Sequence, residues 1–362
     1  MLARMRESEH VFDPDALSEA SLEAQGTGGP AHNERELESG LRPTSFDEFV
    51  GQPRIVSNLR LSIRAARERD EALDHVLLSG PPGLGKTSLG RIVAQELAGR
   101  LHSTSGPALE RPRDLVGILT QLERGDVLFI DEVHRVPAAV EEYLYTAMED
   151  YTVDFTLDQG PHARVLPLSL APFTLVGATT REGLLTAPFR ARFGHFERLE
   201  PYPVADLVSI LRRSAGLLGF AIDDAAAQLL ASRSRGTPRI ANRFLRRARD
   251  LAQVERKKLI DHDVARDALG RLGVDDNGLE EMDRRILDCL AKNLDHPVGL
   301  KTIAAAVGEA EDTIEEVFEP HLLRSGYLQR TARGRTITRA GCEAIGVDPD
   351  AGRAGREPGL FG

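Results

Sequence analysis

The chain has 362 residues, with 46 Lys+Arg against 56 Asp+Glu for a formal net charge of −10, and 41% hydrophobic and 28% charged residues. That is the balance of a soluble globular protein of two or three domains. It lacks a run of about 18 apolar residues for a membrane span. With only Cys289 and Cys342, it cannot carry a disulfide framework or a CxxC site, and the ten histidines show no HExxH spacing. A reducing, cytoplasmic setting is expected, with no secretion signal in residues 1–40.

Residues 1–40 hold nine acidic and three basic residues (Arg4, Arg6, Arg35) without periodicity, and are expected to be a disordered acidic tail. A polar tail, 347–362, is expected to be flexible too. Residues 41–201 alternate short apolar runs with helical stretches: His75–Ser79, Val127–Asp131 and Phe173–Gly177 read as strands of a parallel sheet covered on both faces. Between the last two, about 153–168, lies an inserted β-hairpin around Asp158-Gln159-Gly160-Pro161, either a docking surface or packed on its own domain. Residues 202–273 read as all-helical. Within them, residues 233–258 carry ten basic residues against two acidic ones, a solvated helix face or a contact for phosphate. Residues 274–346 have the spacing of a winged helix: helices over Met282–Asn293, Leu300–Val307 and Asp312–Arg324, the last with Ile314, Val317, Phe318 and Leu322 on its apolar face. A hairpin with the basic tip Ala332-Arg333-Gly334-Arg335 follows. Cys289 sits beside the first helix's apolar face, a core-packing position.

Gly80-Pro81-Pro82-Gly83-Leu84-Gly85-Lys86-Thr87 fits G-x-x-x-x-G-K-[ST] completely, after a strand and before a helix starting near Ser88. In such a loop the N–H groups around Gly83 and Gly85 cradle phosphates, Lys86 reaches the β- and γ-phosphates, and the Thr87 hydroxyl ligates Mg²⁺. Asp131-Glu132 ends a strand about 45 residues on, as a Walker B element does. Asp131 would hold Mg²⁺ and Glu132 would activate the attacking water, which points to an ATP hydrolase rather than a passive binder. Thr180, at the end of the third strand, either positions that water or caps the strand. Arg190 and Arg192 show no obvious local acid partner. Either could reach a γ-phosphate on a neighbouring subunit, or form a surface salt bridge. Thr237 is placed to cap a helix with Pro238 in its first turn, and Arg239 at that helix start calls for a nearby anion.

Together these segments resemble the AAA+ ATPases. With Leu41-Arg42-Pro43, Val50-Gly51-Gln52-Pro53, Asp131-Glu132-Val133-His134-Arg135, Gly177-Ala178-Thr179-Thr180-Arg181, Gly236-Thr237-Pro238-Arg239-Ile240-Ala241-Asn242-Arg243 and Leu328-Gln329-Arg330-Thr331, they resemble the RuvB family of branch-migration motors from about Leu41 to Gly346. The resemblance implies an α/β fold: a P-loop AAA+ core with a parallel sheet, a helical lid and a C-terminal winged-helix domain. It implies a homo-hexameric ring on duplex DNA, driving branch migration of Holliday junctions with RuvA, docked on the inserted hairpin, before RuvC cuts. It implies nucleotide contacts at Leu41, Arg42, Ser88, Glu149, Asp150, Tyr151, Tyr202 and Arg239, a finger arginine at Arg192 rather than Arg190, and DNA contacts at Arg330 and Arg335, with Arg333 beside them. A position often basic in the family is Glu311 here, which moves the expected phosphate grip onto those three arginines.

Two other classes fit parts of the pattern. One is a nucleotide-switched transcription regulator whose winged helix reads bases, but no GAFTGA-type loop is present; the other is a protein-remodelling ring, but no aromatic-hydrophobic-glycine pore loop is present. Sequence preference on DNA separates a regulator from a motor.

Overall fold

The computed structural model describes residues 40–156, 165–294 and 296–349. The expected N-terminal tail to residue 39, the tip of the inserted hairpin and the C-terminal tail from residue 350 lie outside them. The chain divides into two compact units, Met1–Arg42 and Pro43–Gly362; every element below belongs to the second.

Five parallel strands form the central sheet: β1 (Val76–Ser79), β2 (Leu101–Ser105), β3 (Val127–Asp131), β6 (Thr174–Thr179) and β7 (His195–Arg198), in the order β2-β3-β6-β1-β7. The three strands expected from apolar runs are the interior ones, buried on both faces. The two edge strands were not legible: β2 reads Leu-His-Ser-Thr-Ser and β7 His-Phe-Glu-Arg, because an edge needs apolar residues on less of its surface.

Alternation along the strands builds two cores. Val76, Leu78, Phe129, Val176 and Ala178 face one side, against helices α1 (Pro53–Arg69) and α2 (Lys86–Glu96). Leu77, Leu128, Ile130 and Leu175 face the other, against α3 (Pro112–Leu119) and α4 (Ala138–Glu149). A short α5 (Ala187–Ala191) follows β6. The inserted hairpin is present, with β4 (Thr152–Thr156) antiparallel to β5 (Val165–Ser169). It is divided in character: Val153 is buried in the second core, while Leu166 is 45% exposed.

The lid comprises α6 (Val204–Leu217), α7 (Asp224–Arg233), α8 (Pro238–Val254) and α9 (His262–Arg271). It is not purely helical, since Ala221–Ile222 (β8) pairs in parallel with Leu259–Ile260 (β9). Phe244, Leu245 and Ala248 of α8 belong to the same apolar cluster as α1 and α2, so lid and sheet share one core. That fixes the lid against the loop between β1 and α2.

The winged-helix part has its own core around Ile286, Leu287, Leu290, Ile303 and Leu322. Its helices are α10 (Glu281–Ala291), α11 (Leu300–Val307) and a third that starts at Glu311–Thr313, widens to a π-turn over Ile314–Phe318, and ends as Glu319–Arg324. Pro320 accounts for the widening: it lacks an N–H and its ring crowds the carbonyl four residues back. The widened turn changes the expected face, leaving Val317 at 49% exposed while Ile314 and Leu322 stay buried. The wing, β10 (Leu328–Thr331) with β11 (Gly334–Ile337), turns more tightly than expected. Thr331 pairs with Gly334, and Arg330 with Arg335, so Arg335 lies within a strand and not at the tip.

Candidate nucleotide site and DNA-facing wing

The loop Gly80–Thr87 joins β1 to α2. Gly85, with φ 104°, occupies the N-cap position of α2, and no side chain caps the helix, so its first N–H groups remain available to an anion. Gly83 has φ 78°, and a Cβ there would lie 2.8 Å from Thr237 Cγ2 and 3.0 Å from Arg239 Cβ. Only glycine lets the lid approach the loop this closely. Lys86, 7% exposed, donates through Nζ to the Gly80 carbonyl at 2.7 Å and the Pro81 carbonyl at 3.0 Å. Burial pushes its amine below the ordinary lysine value, while the negative charges of Asp131 and Glu132 oppose that shift. Ser88 is buried and Thr87 half-buried in the first turn of α2.

Asp131 ends β3, and Glu132 follows in the left-handed region at φ 49°. The Glu132 N–H donates to Asp131 Oδ1 at 3.0 Å, and Thr180 Oγ1 donates to Glu132 Oε2 at 3.3 Å. The tips of β3 and β6 therefore orient one carboxylate together. His134 was not assigned a role from sequence. Its side chain is 4% exposed, and its Nδ1 lies 2.9 Å from Thr179 Oγ1 and 3.4 Å from Glu132 Oε2. Burial lowers its pKa, so the imidazole is neutral near pH 7. Its place three residues after Asp131 was the only signal of a buried polar partner.

The lid hydrogen-bonds to this loop through Tyr202 and Arg239. Tyr202 is buried, its hydroxyl donates to the Leu84 carbonyl at 3.1 Å, and its N–H donates to the Gly236 carbonyl at 2.9 Å. Burial raises its phenol above the ordinary tyrosine value. The Arg239 N–H donates to the Gly83 carbonyl at 3.4 Å. Thr237 holds the N-cap position of α8 with Pro238 behind it, but makes no side-chain cap. Its hydroxyl turns back to the Arg235 carbonyl at 3.5 Å.

Arg192 is tethered on its own subunit, contrary to the expectation of no local acid. Its guanidinium donates to Glu149 Oε2 at 3.0 Å and to the Pro188 carbonyl at 2.8 Å, and stacks 4.2 Å from the Tyr145 ring centroid. Arg190 donates instead to the carbonyls of Glu182 and Leu185 at 2.9 and 3.5 Å. Asp150 caps the C-terminus of α4. Tyr151, at φ 50°, packs edge-on against Phe173 with centroids 5.9 Å apart.

On the wing, buried Glu319 binds two arginines. Arg330 donates to it at 2.6 and 2.9 Å, and Arg335 at 3.1 Å to each oxygen. Burial pushes the Glu319 carboxyl up, but the hydrogen bonds and charges of Arg330 and Arg335 outweigh it and hold it below the ordinary glutamate value. Arg330 also donates to Glu315 at 2.6 Å. Arg333 is exposed at the turn, and no side-chain partner is found for it among the described residues.

Three family models match consecutive parts of the chain: the Holliday junction DNA helicase RuvB P-loop domain over residues 41–199, the RuvB AAA lid domain over 202–275 and the RuvB C-terminal winged helix domain over 276–346. The chain belongs to the RuvB family. It is similar to the Holliday junction branch migration complex subunit RuvB of Myxococcus xanthus, 60% identical over 303 residues, 83% of this chain and 88% of that one. The protein of that name from Chlorobium phaeobacteroides is 55% identical over the same shares. The solved Thermotoga maritima RuvB Holliday junction branch migration motor matches with a TM-score of 0.78 and 48% identity, covering 85% of this chain and 99% of that one.

RuvB-family proteins are P-loop AAA+ ATPases, so nucleotide binding belongs to this chain as well. In this RuvB-family fold, Tyr202 and Arg239 bond to the loop that carries Lys86, the charges of Asp131 and Glu132 act on Lys86, and Thr180 holds Glu132. Glu149 and Arg192 sit together elsewhere, held to each other. Leu41 and Arg42 close the other compact unit. Of the expected basic tip, Arg333 remains exposed at the turn, while Arg335 bonds to Glu319, as does Arg330 of β10.

Proposed function

We propose that this chain is the motor subunit of a Holliday-junction branch-migration complex, hydrolysing ATP to draw duplex DNA through a homo-hexameric ring. The observation that carries this reading is the conjunction of a loop able to hold a polyphosphate with a winged helix, matched throughout by RuvB-family parts. Relatives bearing the branch-migration name do not favour the promoter-reading regulator.

In this reading Gly83, Gly85, Lys86, Thr87 and Ser88 hold the phosphates. Thr87 and Asp131 hold Mg²⁺, which neutralises phosphate charge when bound. The donors fit both groups: the Thr87 hydroxyl and Asp131 carboxylate are hard oxygen ligands suited to Mg²⁺, while buried Lys86 and the N-terminus of α2, which no side chain caps, suit phosphate. Glu132, oriented by Thr180, takes the proton of the attacking water. Tyr202 and Arg239 carry lid movement to the loop, since both are hydrogen-bonded to its backbone. Arg192 serves the neighbouring subunit's nucleotide. Its bond to Glu149 offers a physical reason for the nucleotide contact expected of Glu149, Asp150 and Tyr151: that segment borders the arginine which has to leave it. Leu41 and Arg42 add nucleotide contacts. Arg333 touches the DNA backbone first, with Arg330 and Arg335 following when released from Glu319. The exposed side of the inserted hairpin docks RuvA, with RuvC acting on the same junction. The setting is cytoplasmic, and no helix among the described residues is long and apolar enough to cross a membrane.

Competition binding tests the reading against its alternative. Comparable affinity for random duplexes, and tighter binding to four-way junctions of any sequence, is the expected result. Strong preference for one linear duplex would move the function to regulation.

A further inference from the structure

Arg181 follows Thr180 directly, and its side chain leaves the β6 tip for the winged-helix domain. It meets three carboxylates of the third wing helix: Glu316 at 2.6 Å, Asp312 at 3.1 Å and Glu315 at 3.6 Å. The arginine is 27% exposed, and Glu315 and Glu316 are 34% and 31% exposed, so solvent screens these pairs less than ordinary surface pairs. Glu315 is shared. It lies 2.6 Å from Arg330, one of the DNA-facing arginines, and 3.6 Å from Arg335. On the other side of Arg181, Thr180 holds Glu132. A continuous set of contacts thus runs from the wing arginines to the acid beside the phosphate loop.

We propose that Arg181 is a positioning residue that couples the wing's contact with duplex DNA to the Thr180–Glu132 pair, through Glu315 and Glu316. This rests on the functional reading above. The two-state element is the choice of partner for Glu315. While Arg330 holds Glu315, Arg181 keeps it at arm's length and is anchored by Glu316. When DNA phosphates draw Arg330 and Arg335 away, Arg181, at 3.6 Å, is the partner left to Glu315 among the described residues. The arginine moves toward it, and the adjoining backbone carries Thr180, and with it the orientation of Glu132. The energy available is the difference between two partly buried ion pairs, the usual scale of coupling between sites.

The experiment is steady-state ATPase with and without random-sequence duplex, on the full chain. In Arg181→Gln and in Glu316→Gln, the ratio of the two kcat values should fall about fivefold or more toward unity, the low end of ordinary coupling. KM for ATP and the DNA-free kcat should stay at the parent's values. Reversing the pair, Arg181→Glu with Glu316→Arg, should recover stimulation. A parent-like ratio in both single variants overturns the coupling. So does a fall in both rates together, which is what a merely structural role would give. If the parent gains nothing from duplex, the DNA-motor reading has failed, and the coupling with it.

Discussion

Replacing Gly83 by alanine tests how the lid communicates with the phosphate loop. Its φ of 78° is a left-handed conformation, which costs a residue with a Cβ about 1–2 kcal/mol. The added methyl would also lie 2.8 Å from Thr237 Cγ2 and 3.0 Å from Arg239 Cβ. Contacts that short cost about 1–3 kcal/mol when the surroundings cannot yield. The neighbours can yield by moving the lid outward, at the expense of the Arg239 N–H bond to the Gly83 carbonyl. The strain therefore falls on the lid-closed form. At about 1.4 kcal/mol per tenfold, ATP affinity should weaken about 10- to 100-fold. Titration of a fluorescent ATP analogue in Mg²⁺ buffer measures it. Gly117→Ala is the control: it lies in α3 with nothing within 4 Å of a new Cβ, and should leave affinity unchanged while adding about 0.5–1 kcal/mol of stability. Gly83→Ala binding as tightly as the parent, with an unchanged Tm, would refute the account of the lid contact.

Lys86→Ala should lose nucleotide binding, whereas Glu132→Gln should bind ATP, fail to turn it over and stay on DNA; equilibrium binding and phosphate release separate the two. Arg192→Ala should bind ATP but hydrolyse it poorly, and mixing with Lys86→Ala subunits that carry an intact Arg192 should restore hydrolysis. No rescue in mixed rings would assign Arg192 to its own subunit. Glu319→Ala should destabilise the winged-helix part toward the low end of the about 3–5 kcal/mol expected when one partner of a buried pair is removed, because Arg330 keeps solvent access. Since the folded-state pKa of Glu319 is held below its unfolded value, its contribution is complete above the unfolded value of about 4.3 and is lost as pH falls through the folded one. The acid limb of a Tm-against-pH curve should therefore flatten in Glu319→Gln. Arg333→Ala should weaken binding to all duplexes alike and lower the salt slope by about one; a change confined to one sequence would speak for base reading.

What the sequence made legible was local. The loop Gly80–Thr87, the strand ending in Asp131-Glu132 and the three interior strands each depend on neighbours within about ten residues, so spacing and composition sufficed. The edge strands β2 and β7 were hidden because they are far less buried than the interior strands and so carry fewer apolar residues. Pairings between distant segments were equally hidden. Nothing near Arg192 announces Glu149, forty-three positions earlier, as its partner. Arg330 and Arg335 read as arginines open to DNA, the second in a basic tip, because Glu319, the acid that gathers them, sits a helix away. The β-turn is also one step tighter than the arginine spacing suggested, since Gly334 at φ 144° already belongs to the strand. Thr237 occupied the expected cap position without forming the cap, because its methyl is used against Gly83.

The most direct measurement is ATP-driven dissociation of a synthetic four-way junction by the full chain with a RuvA-type partner, run beside the Glu132→Gln variant. The account predicts strand separation that requires ATP, the partner and an intact Glu132. Brisk ATP hydrolysis without junction dissociation, combined with tight binding to one linear duplex, would contradict it.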